Sequence, residues 1–426
     1  NVYKIPYKQK DNKYTNFFKN FKFFYSKVIA LHDSEINKFA KILMDSCEVI
    51  EIKSWNVEQA ITMFNSLNSD GMPLSDADII SAKMFAKSKG LNKSNEYTEL
   101  WKELLSQAND SKMSNTININ SVLTQYMYLM RAKNGEMSND STTPGVRRYF
   151  ESNLISDPIK TCSNMLSLTK IWSKVIEYPI VKILLKCNDN AKLFLGCYFN
   201  RFLDNDNDIL ESDITLISET MLRLFAILEL VDAGYSSKNF KSFLFKESNK
   251  LTNNNISLEE IINDFNLHIK DNWNKEDLES NIIDYDKNML VYLNEYLFAK
   301  ENQTKLEIYP KCDIEHIMPS SGHNLAVIRN DAGITSEEEF NEIANKLGNK
   351  ILLEEKINRS IGNDWFRTKI SDPNSTKVSY GNSKYPIAAA LYRKYKDVDK
   401  PYWKKEDIEI TTKKIAKRIL NFIFEN

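Results

Sequence analysis

Apolar positions recur every three or four residues through most of the chain, in stretches such as YTELWKELL, INSVLTQYMYLM, CSNMLSLTKIWSKVI, AKLFLGCYFNRFL and TLISETMLRLFAILELV. That spacing lays the apolar side chains along one face of a helix and predicts helix after helix from about residue 90 to residue 298. Polar stretches, NDSKMSNTIN at 109–118 and NGEMSNDSTTPG at 134–145, separate the helices, and the second has the composition of a mobile segment. No fixed period links them, which argues against a solenoid. Two helix starts are written as capping boxes: Ser75 with Asp78, and Ser336 with Glu339 ahead of EEEFNEIANKL. Near the N-terminus, NFFKNFKFFYSKVIALH places aromatics at helical spacing, which predicts an amphipathic helix with an aromatic face. A base-stacking surface is the alternative there. Cys47–Lys53 alternates as a short strand.

The pattern changes between residues 311 and 358. Ile314, Glu315, His316 and Ile317 bring apolar and polar residues together in a short run that suits a strand, and Pro319 ends it because proline cannot donate to a ladder. Gly348 and Asn349 then mark a turn before Ile351, Leu352 and Leu353, and a polar helix starting near Glu354 carries Asn358. Two strands and a helix would bring Glu315, His316, Asn349 and Asn358 together. A lone histidine is ordinarily a packed or surface residue, so the constellation carries the argument. Near neutral pH an imidazole can take a proton from water. A carboxylate and an amide oxygen are hard ligands, suited to Mg²⁺ or Mn²⁺ rather than Zn²⁺. These are the parts of metal-assisted phosphodiester hydrolysis. His323 lies in a loop without cysteine partners and reads as a solvent residue rather than a metal ligand.

Composition constrains the partners. The 11 glycines and 10 prolines in 426 residues are few, which favours helices over turn-rich β architecture. Net charge is −1, so any DNA-binding surface must be local. Residues 377–426 hold twelve Lys or Arg against six Asp or Glu, interleaved with Tyr380, Tyr385, Tyr392, Tyr395, Tyr402 and Trp403. Such a mixture suits contact with a nucleic-acid backbone, although Ile415, Ile419, Phe422 and Ile423 form an ordinary buried stripe within it. Arg359, Arg367 and Lys369, nearer the proposed site, are expected to contact phosphate. The five cysteines form no CxxC pair and read as reduced thiols of a cytoplasmic protein. The most apolar window, 214–231, contains Glu219, Arg223 and Glu229 and is expected to be a buried helix, so no membrane is implied. The chain begins with Asn1 rather than methionine, which suggests a fragment of a longer protein.

The acidic residue directly before His316, and the two asparagines nine positions apart, resemble the HNH (His-Me finger) nucleases. By that resemblance His316 is the general base, Glu315 and Asn358 hold the metal, and Asn349 orients the imidazole. EHIMP followed by LGNKILLEEKINRSIGN, a Phe and a Lys is similar to the C-terminal nuclease half of GmrSD-type restriction proteins, defence enzymes directed at modified foreign DNA. MFNSLNSDGMPLSDADIISAKMF at 63–85 resembles the end of their N-terminal ParB-like half. That half also carries a DGQQR motif tied to nucleotide binding. The motif is absent here, so any nucleotide would enter only through a part of the protein that precedes this chain. Two departures stand out: Ser320 where the family has a polar amide, and Lys350 where it has leucine.

The expected fold is therefore mainly α, a helical scaffold with a C-terminal ββα-metal (HNH) module. The expected division is 1–88 as the end of the ParB-like domain, 89–300 as a helical middle domain and 301–426 as the nuclease domain with basic C-terminal helices. The expected function is a Mg²⁺- or Mn²⁺-dependent DNA endonuclease of a restriction system. A modified-DNA-sensing module with an inactive nuclease half, or a ribonuclease using the same residues, are the alternatives. The sequence leaves the oligomeric state open.

Overall fold

The computed structural model describes residues 12–48, 51, 53, 56, 59–60, 63, 74–110, 116–136, 145–203, 209–231, 237–371 and 378–424. The chain divides into two units, residues 1–70 and 71–426. In the first, helices α1 (Asn12–Ile29) and α2 (Asp33–Asp45) follow one another. The helical spacing of the aromatic run stacks Phe21 on Tyr25, centroids 5.8 Å apart, and Glu35 Oε2 accepts from the His32 N–H at 2.9 Å at the start of α2. Residues 1–11, most of the strand expected at 47–53 and residues 64–73 of the ParB-like string lie outside the described residues.

The second unit opens at the first capping box. Asp78 N donates to Ser75 Oγ at 3.2 Å and Ser75 N to Asp78 Oδ2 at 3.0 Å, starting α3 (Asp76–Gly90). Helices α4 (Ser94–Ala108), α5 (Ile119–Lys133), α6 (Pro158–Val175), α7 (Pro179–Cys187), α8 (Asn190–Phe199), α9 (Glu211–Leu230), α10 (Ser237–Thr252), α11 (Leu258–Asn272), α12 (Lys275–Ile283) and α13 (Met289–Glu301) follow. Their stripes meet: α4 packs on α6, α5 on α8 and α7 on α9. Trp172 of α6 is fully buried, so its indole N–H needs a partner, which Gln125 Oε1 of α5 provides at 2.7 Å. The window at 214–231 is the buried body of α9. Among the described residues no helix is long and apolar enough to cross a membrane.

After α13 come β1 (Cys312–His316), α14 (Leu325–Asp331), α15 (Glu337–Asn345), β2 (Lys350–Glu354), α16 (Glu355–Ile361), the single turn α17 (Phe366–Lys369), α18 (Pro386–Tyr395) and α19 (Lys405–Phe424). Ser336 caps α15 as expected, its Oγ accepting from Glu339 N at 3.1 Å. β1 and β2 form a two-stranded antiparallel sheet with Glu315 opposite Ile351 and His316 opposite Lys350. An isolated hairpin is marginal in water, and this one is packed between α16 and the pair α13 and α18. One continuous apolar cluster runs from Ala77 to Ile423. Among the described residues the architecture is thus mainly helical with one small sheet.

Candidate functional site

His316 is the last residue of β1, half-buried, with Nε2 shut off from solvent and without a hydrogen-bond partner. Its imidazole is bonded by the side chain of Asn345, at the end of α15. Burial pushes its pKa down to about 4; the Lys350 charge adds to this, the Asn345 bond opposes it, and Lys369 lowers it further. The ring is therefore neutral at pH 7, the state a general base requires. Lys350 is 3% exposed. Its Nζ donates to the carbonyls of Asp286 and Lys287, just ahead of α13. That holds a positive charge beside the imidazole.

Asn349 is fully buried where β2 begins. Its Oδ1 accepts from Met318 N at 2.7 Å, and its Nδ2 donates to Met318 O at 2.8 Å and Ala344 O at 2.9 Å. Both amide hydrogens are thus used on backbone, so Asn349, expected to orient the imidazole, clamps the chain just beyond His316 and touches the ring only through that backbone. The Ile317 N–H, bonded to Asn349 O at 2.9 Å, completes it. Gly348 is required beside it: a Cβ there would overlap the Ile408 carbonyl and lie 2.6 Å from Thr412 Oγ1 on α19.

Glu315 precedes His316, and strand alternation turns neighbouring side chains to opposite faces. Its side chain is 7% exposed and its carboxylate faces α17. Lys369 Nζ donates to Glu315 Oε1 at 2.5 Å, and the Tyr380 hydroxyl donates to the same oxygen at 3.0 Å. Burial pushes the carboxyl up, against the pull of Lys369. Lys369 also donates to His316 O at 2.7 Å and Ile317 O at 3.2 Å, filling its three N–H bonds. The phosphate contact expected of Lys369 is therefore corrected: its side chain is 0% exposed and ties α17 to the end of β1.

Asn358, in the first turns of α16, donates from Nδ2 to Asp313 Oδ2 at 3.0 Å. Asp313 lies two residues before Glu315 and so on the same face of β1. Glu315, His316 and Asn358 thus have three separate sets of partners, and the expected convergence of the four residues is not what the structure places. Among the described residues no group of three or more His, Cys, Asp or Glu could hold a metal ion. The expected ligand pair, Glu315 with Asn358, does not fit a cation here, because an ammonium already occupies the carboxylate. Asp313 with Asn358 is the adjacent pair with hard-donor chemistry, since an amide presents either its nitrogen or its oxygen by a flip.

Arg359 and Arg367 are on the surface. Arg359 pairs with Glu355 at 2.5 Å and Arg367 lies over the Trp365 ring at 4.9 Å, so both can meet a phosphate. His323 is exposed in its loop. Sequence reasoning missed Asp313, Asn345, Lys369 as a buried clamp and Tyr380. The alternation of β1 was a signal for Asp313, and nothing local marked the others.

Residues 264–418 match the model of the family described as GmrSD restriction endonucleases, C-terminal domain. No curated protein and no solved structure matches the chain. The matched stretch starts within α11 and ends within α19, so it takes in the hairpin together with the helices that carry it. Over that stretch, a little more than a third of the chain, the protein is similar to the C-terminal domain of GmrSD restriction endonucleases.

Proposed function

We propose that residues 264–418 form an HNH-type DNA endonuclease in which His316 is the general base. The observation that carries this reading is the imidazole itself: it ends a strand in a restriction-endonuclease domain, is held neutral by burial and Lys350, and has an unpartnered Nε2. For this chemistry Nε2, closed to solvent in this structure, has to be uncovered as DNA binds, and a water hydrogen-bonded to it would then lose its proton to it as the oxygen attacks phosphorus. Asn345 fixes the ring from one side, while Asn349 and Lys369 fix the backbone on which it stands. Arg359 and Arg367 would receive the flanking phosphates. Mg²⁺ or Mn²⁺ belongs to the proposal, with Asp313 and Asn358 as the residues that would hold it.

The substrate class follows from the family: DNA, and by resemblance modified or foreign DNA, with a ParB-like part and any nucleotide N-terminal to the matched domain. The occupied Glu315 carboxylate favours one second reading, a DNA-sensing module whose nuclease half is inert. Conversion of supercoiled plasmid to open circle in Mg²⁺ or Mn²⁺, with wild type beside His316→Ala, separates the two. The endonuclease reading expects nicking that the variant loses at unchanged melting temperature, and it fails if both proteins nick alike or neither nicks.

A further inference from the structure

The basic, tyrosine-rich stretch at 377–426 divides in the structure into an inside and an outside. Tyr380 and Tyr385 are fully buried, as are Ile415, Ile419, Phe422 and Ile423 on α19. Arg418 is spent on Glu301 and Lys405 on Glu339. What remains outside gathers around one aromatic triad. The Phe366 ring lies 5.2 Å from Tyr395 and 5.5 Å from Trp403, and those two rings are 6.1 Å apart. Each ring has a cation beside it in sequence: Arg367, Lys394 and Lys404. All three are exposed, and each stands over an aromatic face: Arg367 at 4.9 Å from the Trp365 centroid, Lys394 at 4.7 Å from Tyr395 and Lys404 at 5.8 Å from Tyr402. Among the described residues none of the three charges is paired with a carboxylate, whereas those of Arg359, Lys405 and Arg418 are. Met318 and Pro319, just beyond His316, share a recess with Trp365, Arg367, Tyr402 and Trp403, which puts the patch beside the end of β1. Asp331 lines that recess too, so the positive charge belongs to the exposed cations around it and not to the recess.

We infer that Arg367, Lys394 and Lys404 form one contact for the phosphate backbone of duplex DNA, which reaches the site across α17 and the connection between α18 and α19. This rests on the endonuclease reading for its substrate. The same connection, from residue 393 to residue 404, carries Arg393, Lys394, Lys396, Lys400 and Lys404 against Asp397 and Asp399, so the local excess is positive although the whole chain is near neutral. A cation already seated on a ring has given up part of its rotamer freedom, so it loses less on meeting a phosphate. It also has no acid to release first, as Arg359 would have with Glu355. Backbone contacts set the register of a duplex without reading its bases, so binding here is salt-dependent and indifferent to sequence.

The test uses the full chain carrying His316→Ala, so that no cleavage intervenes, and follows fluorescence anisotropy of a labelled DNA duplex through a series of salt concentrations. The slope of log affinity against log salt should become shallower by about 0.9 for each of Arg367→Gln, Lys394→Gln and Lys404→Gln, and by their sum in the triple variant. A duplex of permuted sequence should give the same slopes. Lys413→Gln with Lys414→Gln, exposed cations of α19, should leave the slope where it was. The proposal is overturned by a triple variant that keeps the parent's slope at an unchanged melting temperature. It is overturned equally by a matching loss from the α19 pair, or by no duplex binding at any salt. If the wild type fails to nick while the triple variant shows the loss, the endonuclease assignment fails and the contact surface stands. If nicking depends on His316 and the slope does not change, the reverse holds.

Discussion

Lys369 Nζ lies 2.5 Å from Glu315 Oε1 in a region closed to solvent, with the lysine side chain 0% exposed and the glutamate 7%. Such a pair gains from attraction what it loses in desolvation, so its net stabilisation is small, whereas stranding one partner is costly. Lys369→Met should therefore destabilise the protein by about 3–5 kcal/mol, and the double variant with Glu315→Gln by less than the sum of the two singles. Denaturant unfolding of the four proteins checks this. Additive losses would mean that the pair is not coupled as its geometry requires.

His316 should leave its mark on stability against pH. Its folded pKa is about 4 and its unfolded value 6.5, so between these the unfolded chain binds the extra proton. Stability is then full above pH 6.5 and declines as the pH falls toward 4, with a slope of at most about 1.4 kcal/mol per unit. His316→Gln should flatten that component in urea titrations from pH 4 to 7. The same neutral ring predicts nicking that stays level from pH 8 down to pH 6. An acid limb centred near 6.5 would show that burial does not act on the ring as described.

Glu295 on α13 predicts the opposite trend. It is fully buried, with Oε1 accepting from Ile387 N at 2.9 Å and its other oxygen unpartnered, and burial pushes its pKa up to about 8. From the usual 4.5 up to about 8 the folded state holds a proton that the unfolded chain has lost, so stability falls as the pH rises through that window. Glu295→Gln keeps an acceptor for Ile387 and removes the titration. Its unfolding free energy should exceed wild type at pH 8 and approach it near pH 5. A constant difference across that range would exclude the effect.

The two asparagines should separate stability from metal dependence. Asn349→Ala orphans Met318 N, Met318 O and Ala344 O, buried groups that each cost about 1–3 kcal/mol when unmatched, so thermal scans should show a large loss. Asn358→Ala gives up one partly buried bond to Asp313 and should cost about 1 kcal/mol or less. It should instead raise the Mn²⁺ concentration for half-maximal nicking, as should Asp313→Asn. Glu315→Gln shifting that titration while Asp313→Asn leaves it unmoved would return the ligand role to Glu315.

What the sequence made legible was local. The caps at Ser75 and Ser336 follow from side-chain chemistry within one turn, and β1, β2 and α16 from short-range patterning and from proline and glycine. The buried character of α9 was visible because its charges sit among continuous apolar stripes. The partners of the site residues were not legible, since Lys369 meets Glu315 across 54 positions and Tyr380 meets it across 65. A buried lysine and an exposed one look alike in a string of letters. Asn349 could be placed at the turn before β2 from sequence, but which atoms its amide would bond depended on the return of the backbone at Met318.

The clamp at Gly348 reaches further than its own turn. Its N–H bonds Thr412 of α19, Lys350 is anchored on carbonyls ahead of α13, and Arg418 of α19 reaches back to Glu301 and Asn294 of α13. The hairpin therefore has no foundation of its own: it is a graft held by a stock on either side. Anyone wishing to transplant this hairpin to another protein would have to carry the helices from α11 to α19 along with it, and a shorter excision would leave the histidine without its footing.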